Sequence, residues 1–193
     1  MSDVDLNETI NGYRGSIGKL VFKKYKGRTI VGRKGKISKP PTEGQLAHRE
    51  QFKEASSFAR TVKANPALLA FYGPIAKERD VTIRVVAMGD YLKKPTIKPL
   101  DLATYKGQIG DVIEIRATDN LGLAELSVKI VDQDGTPIES GQAVEEGERS
   151  GKWIYTVTKA VAMGSDVFIE VEGCDHAGNE VKITENPTVG MDD

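Results

Sequence analysis

The hydrophobic pattern changes its period along the chain. Two short apolar clusters, Leu20-Val21-Phe22 and Thr29-Ile30-Val31, flank Lys26-Gly27 and predict a hairpin. Leu20 and Phe22 share one face, Val21 and Tyr25 the other, so neither face is cleanly polar; a strand pair covered on both sides reads this way. The connection Tyr25-Lys26-Gly27-Arg28 predicts a three-residue loop with a bulge, Gly27 taking the left-handed position. A lone two-stranded hairpin is marginal in water. This one therefore needs something to lie against.

Beyond Pro40-Pro41 the period becomes helical. Thr42-Glu43-Gly44-Gln45 matches a capping box, and the helix it opens should run to about Ala64. His48, Phe52, Ala55, Phe58, Ala59 and Val62 recur on one face, opposite Arg49, Glu50, Lys53, Glu54 and Arg60. Asn65 as cap and Pro66 at the first helical position start a second helix to Glu78, burying Leu69, Tyr72, Ile75 and Ala76 and bending at Gly73-Pro74. Residues 81–92 carry β-branched side chains that argue for a strand. Val81, Val85, Met88 and Leu92 lie at helical spacing, and a helix is the reading taken.

From Thr96 onward the period is two, with turns every eight to twelve residues, the pattern of an all-β sandwich. Strands are predicted near 97–104, 111–118, 123–132, 136–144, 152–159, 166–173 and 180–185. Asp134-Gly135 is the hairpin signal between the third and fourth, and at least one of Trp153 and Tyr155 should enter the core. The chain thus reads as two-domain α+β: a small β-hairpin plus helices, then an immunoglobulin-like sandwich. The expected divisions are a flexible arm at 1–14, a basic hairpin and helical domain at 15–94, an acidic sandwich at 95–189 and a tail at 190–193, with the boundary at Lys93-Lys94-Pro95.

Charge sharpens this division. The 27 basic and 28 acidic residues nearly cancel overall. Residues 1–40 nevertheless hold ten basic and three acidic side chains, and residues 95–193 hold eight and nineteen. Such asymmetry points to a polyanion or to head-to-tail contact between copies. Lys19, Lys23, Lys24, Tyr25, Lys26, Arg28, Arg33, Lys34 and Lys36 are the candidate partner-binding residues. They could meet nucleic acid through phosphates and one stacking ring, or the acidic half of another copy. The acidic half would repel a polyanion, which favours protein as the partner.

No catalytic or cofactor motif stands out, and no cofactor is expected. His48 and His176 are the only histidines and Cys174 the only cysteine. Cys174 and His176 lack a third orienting group for nucleophilic catalysis, and Cys174, in an alternating stretch with Val167, Ile169 and Val171, is read as a buried, inert thiol. His48 is read as a partly buried packing residue. The glycines Gly12, Gly15 and Gly18 precede no G-K-[ST] and make no phosphate loop. Asp119, Asn120, Asp175 and Asn179, on two loops at one end of the sandwich, are weak Ca²⁺ candidates; Asp and Asn bonding to their own turns is the favoured reading. No 18-residue apolar run predicts a membrane span. The polar first thirteen residues show no signal peptide, so a cytoplasmic protein, or one in a particle assembled there, is expected.

Two resemblances follow from phrases in the chain. Ala117-Thr118-Asp119-Asn120-Leu121-Gly122 and Gly173-Cys174-Asp175-His176-Ala177-Gly178-Asn179 resemble the loop phrases of bacterial immunoglobulin-like domains, which implies that fold for the C-terminal half and no particular function. Gly15, Gly18, Lys19, Val21 and Phe22, followed by Lys39, Pro40, Pro41, Thr42, Glu43, Gln45, Leu46, Ala47, Arg49 and Phe52, resemble a family of bacterial proteins sharing G-x-x-G-K-x-V-F and K-P-P-T-E-x-Q-L-A-x-R-x-x-F. That family carries no established activity. Its combination with an immunoglobulin-like tail is similar in style to accessory proteins of phage-like particles. The expectation is a non-enzymatic structural or assembly protein, with a nucleic-acid-binding accessory protein as the alternative and a carbohydrate- or surface-binding module as the second alternative.

Overall fold

The computed structural model describes residues 2–3, 13–25, 27–35 and 39–190. The expected arm at 1–14 and tail at 190–193 lie mostly outside these residues, as do Lys26 and Lys36. The fold is mixed α+β, with three helices and three four-stranded antiparallel sheets among the described residues. It divides into two compact units, Met1–Leu46 and Ala47–Asp193, which places the helices in one unit with the C-terminal sheets.

In the first unit, β1 (Ser2–Asp3), β2 (Gly15–Ile17), β3 (Leu20–Tyr25) and β4 (Arg28–Arg33) form a sheet of order β1-β4-β3-β2. The predicted hairpin is present, joined by two neighbours that make it wider than a strand pair. Tyr25 pairs with Arg28, so the loop holds two residues, one fewer than expected, and Gly27 adopts φ +81°, the left-handed value such a turn requires. Among the apolar residues of this sheet only Phe22 is buried, with the Tyr13 ring edge-on to it at 5.3 Å; Ile17, Leu20 and Tyr25 are exposed.

The second unit begins along α1 (Glu43–Ala64) and continues with α2 (Pro66–Glu78) and α3 (Ile83–Leu92). The capping box forms: Thr42 N donates to Gln45 Oε1 at 3.2 Å and Gln45 N to Thr42 Oγ1 at 3.3 Å. Asn65 caps α2 by accepting from Ala67 N and Leu68 N, with Pro66 at its start. Ala55, Ala59 and Val62 of α1 pack with Tyr72, Ile75 and Ala76 of α2 and Val86, Ala87 and Met88 of α3. The predicted apolar face of α1 is buried only in its second half. His48 and Phe52 are exposed, so His48 does not pack as expected. Leu69 of α2 is also exposed at 39%. The third segment is a helix; of its predicted stripe Met88 is buried while Val81, Val85 and Leu92 are exposed, and its buried side is Val86, Ala87, Met88 and Asp90. A carboxylate on the inner face hid that stripe from a reading based on apolar side chains.

The remaining strands are β5 (Thr96–Ile97), β6 (Val112–Thr118), β7 (Leu123–Asp132), β8 (Pro137–Gln142), β9 (Val144–Glu145), β10 (Lys152–Thr156), β11 (Val167–Asp175) and β12 (Glu180–Glu185). They form two sheets, β5-β6-β10-β9 and β12-β11-β7-β8. Alternation sends Ile113, Ile115 and Ala117 of one sheet and Leu126, Val128, Ile130, Val167, Ile169 and Val171 of the other into a single core, an arrangement compatible with a β-sandwich. Trp153 and Tyr155 are both buried in it. The strand expected at 97–104 shrinks to two residues and one bridge from Asp101 to Glu114, since Pro99 offers no N–H and Tyr105 N turns back onto Leu102 O. Gly107, at φ +72°, lies so close to Val189 that an added Cβ would sit 2.4 Å from its Cγ1.

Cys174 is the other correction. With Val167, Ile169 and Val171 inward, odd positions face the core and Cys174 faces out, half-buried. Burial and the neighbouring carboxylates of Asp175, Glu125 and Glu180 push its thiol up, which keeps it a poor nucleophile.

Candidate functional site

Two places concentrate polar chemistry, one in each unit. In the first, every described candidate partner-binding residue lies on one sheet or at its margin. Lys19 sits in the turn before β3; Lys23, Lys24 and Tyr25 belong to β3, Arg28 and Arg33 to β4. Lys34 follows β4 and donates its backbone N–H to Lys19 O at 2.8 Å. All are exposed. The register pairs Lys23 with Ile30, Lys24 with Thr29 and Leu20 with Arg33. Strand alternation then sorts them: Lys23, Tyr25 and Arg28 share a face with half-buried Val21 and Ile30, whereas Lys24 and Arg33 share the face of Leu20, Phe22, Thr29 and Val31. The second face is the one on which Tyr13 covers Phe22. The first presents cations and an aromatic ring that is 63% exposed.

The second place is the end of the two-sheet body where the loops after β6 and β11 meet α2 and α3. Asp119 accepts from Leu121 N at 2.8 Å, and Leu121 leaves the strands to complete the helical core. Asp175, 2% exposed, accepts from Ala177 N at 2.9 Å, Asn179 N at 2.7 Å and Asn179 Nδ2 at 2.7 Å. The same Asn179 amide reaches the carbonyls of Asp90 and Tyr91 at 3.4 and 3.3 Å. Turned so that its nitrogen faces the carboxylates, the Asn120 amide donates to both oxygens of Asp119, at 2.9 and 3.0 Å, and to Asp90 Oδ1 at 3.1 Å. His176 stacks on Phe71 at 3.6 Å.

Asp90 is the centre of this network, and Tyr72 OH donates to its Oδ2 at 2.6 Å. Asp90 is fully buried. Desolvation, with the charges of Asp119 and Asp175 adding to it, pushes its carboxyl from the ordinary 3.8 up to about 6, although the Tyr72 hydrogen bond pulls the other way. Burial and the Asp90 carboxylate raise the Tyr72 phenol far above its ordinary value, so it stays a donor. Burial, with Arg149 nearby, lowers the His176 imidazole and keeps it neutral on Phe71.

The structure places Asp119 and Asn120 of one loop and Asp175 and Asn179 of the other around Asp90. The carboxylates accept from backbone and side-chain amides, and the amide groups serve as donors that tie loops to helices. Among the described residues no group of three or more His, Cys, Asp or Glu is placed to hold a metal ion. Sequence reasoning missed Asp90 and Tyr72. The available signal was Asp90 at i+4 from Val86 in a helix whose other charged residue is Arg84, a buried-side position that a carboxylate occupies only with partners.

Mixed α+β architecture, a basic surface sheet and a hydrogen-bonded helix junction define the class of molecule; the comparisons add likeness rather than kinship. No family model matches the chain, and no curated protein is significantly similar to it. Among solved structures it is similar to CopC from Methylosinus trichosporium OB3b, at 13% identity and a TM-score of 0.36, over 48% of this chain and 89% of that one. It is also similar to an engineered protein, at 13% identity and a TM-score of 0.37, over 48% of this chain and 19% of that one. Likenesses of this size transfer no function. Among the described residues no helix is long and apolar enough to cross a membrane.

Proposed function

We propose that this chain is a non-enzymatic structural subunit, an immunoglobulin-like sandwich carrying helices and a basic sheet, and that the basic sheet docks it onto other subunits of a larger assembly. The observation that carries the reading is the poverty of the sheet's own core. Phe22 is buried, while Ile17, Leu20 and Tyr25 stand 55%, 42% and 63% exposed beside a row of lysines. Exposed apolar side chains on a small sheet mark a surface that gains by being covered. The acidic C-terminal sequence supplies attraction toward a basic surface and repulsion toward a polyanion. Sedimentation in low and high salt tests this: the reading expects large species that fall apart as salt rises, and a strict monomer throughout would overturn it.

A second reading, nucleic-acid binding, is favoured by Tyr25 sharing a face with Lys23 and Arg28, since a ring among cations can stack a base. It expects nucleic acid to copurify with the chain. Lys23→Glu, Lys24→Glu, Arg28→Glu and Lys34→Glu would then release it, and unchanged binding would remove this reading.

A further inference from the structure

The two outward faces of the two-sheet body differ in charge. On the β5-β6-β10-β9 sheet the carboxylates are matched. Glu114 pairs with Arg116 at 2.9 Å and with Lys152 at 3.2 Å, and Lys152 also holds Glu146 at 2.6 Å. The β12-β11-β7-β8 sheet turns out Glu125, Glu170, Glu172 and Glu180 against Lys129 and Lys182. Lys182 is shared between Glu172 at 2.8 Å and Glu170 at 3.3 Å, and Lys129 reaches only Glu170, at 3.8 Å. Both lysines are therefore spent in the middle of the sheet.

The register leaves one row without a cation. Cys174 of β11 is paired with Glu125 of β7 on one side and Glu180 of β12 on the other. Both glutamates are exposed, and neither has an ion-pair partner among the described residues. Two strand spacings put their backbones about 10 Å apart. This row, Glu172 and the paired Lys182 line a shallow hollow of about 320 Å³, and a second hollow of about 280 Å³ continues it past Ser127 and Lys129 toward Ser140 and Gln142. The surface is unmatched in charge at one end.

The basic sheet has the complementary character. On its Lys23 face, Lys23 and Arg28 are diagonal neighbours across β3 and β4, about 7–8 Å apart at the backbone. Tyr25 lies beside them, and Val21 and Ile30 supply apolar ground between. Diagonal cations on two strands fit opposite carboxylates spread over three, and sheets pack face to face at about 10 Å.

We infer that the outward face of the β12-β11-β7-β8 sheet receives the Lys23 face of the basic sheet from a second copy of this chain, with Glu125 and Glu180 as its charged anchors. The inference rests on the assembly reading above and names its partner surface. A basic surface on each copy meeting an acidic surface on the next is a head-to-tail contact, which grows into a filament or closes into a ring.

Charge reversal on each side tests it with the full chain. Lys23→Glu with Arg28→Glu should prevent association at low salt, and so should Glu125→Lys with Glu180→Lys. Mixed in equal amounts, the two variants should associate head to tail in alternation, because the native pair of surfaces and the reversed pair are both complementary. The chain carrying all four reversals should associate again. Glu125→Gln with Glu180→Gln, which cannot disturb folding through repulsion, should weaken association at least tenfold and flatten its salt dependence; circular dichroism confirms that each variant is folded. If the two glutamate variants associate as the unaltered chain does while the Lys23/Arg28 variant does not, the face assignment falls and the assembly reading stands. An unaltered chain that stays monomeric at low salt overturns both, as does association that requires nucleic acid.

Discussion

The two sheet systems of this protein solve the same problem in opposite ways. The C-terminal pair buries Ile113, Ile115, Leu126, Val128, Ile130, Ile169 and Val171 completely in one shared core. The N-terminal sheet has as many strands as either of them and, among the described residues, buries one large apolar side chain, Phe22. Hydrogen bonding is comparable in kind, so the difference lies in burial, at roughly 25 cal/mol per Å² removed from water. Backbone pairing sets the shape of a sheet, and a second layer makes it stable. A sheet that keeps its strands but has little second layer of its own is suited to borrow one.

The largest expected effect lies in the two-sheet core. Ile169→Ala should lower the main unfolding free energy by about 2–5 kcal/mol, read by chemical denaturation, because the site is closed on all sides. Next comes the helix junction. Asp90 holds its proton more tightly in the folded chain than in the unfolded one, so the stability this contributes is present below about pH 4 and is lost as pH rises through about 6. Asp90→Asn keeps an acceptor for Tyr72 OH, gives up the Oδ1 that accepts from Asn120, and should remove that pH dependence. Gly107→Ala should cost about 1–3 kcal/mol, from its left-handed backbone and its contact with Val189. The smallest change in the main transition should come from Phe22→Ala, below about 0.5 kcal/mol, because the residue supports a sheet outside that core. The same substitution should abolish amide protection over residues 20–33. A main transition that falls as far for Phe22→Ala as for Ile169→Ala would erase the distinction between the two systems.

Legibility followed periodicity. The hairpin, the capping box at Thr42 and Gln45, the Asn65 cap and the inward rows of β6, β7 and β11 could be read because local chemistry and tertiary packing agree there. The buried side of α3 could not, since Asp90 sits where an apolar residue was expected and is satisfied by Tyr72 and Asn120, which are distant in sequence. The exposure of His48 and Phe52 was equally hidden. Helical period shows which face could be buried, while the length of the neighbouring helices decides how much of it is. The basic residues were legible as a group, and their division between two faces required the register of β3 on β4.

Hydrogen exchange of the full chain, in dilute high-salt and in concentrated low-salt solution, tests most directly whether the basic sheet depends on a partner. The account predicts that the paired backbone amides of β3 and β4 exchange orders of magnitude faster than those of β7 and β11 at high salt, and become protected at low salt. Protection of the β3 and β4 amides equal to that of β7 and β11 in the dispersed chain, with no change on concentration, would contradict it.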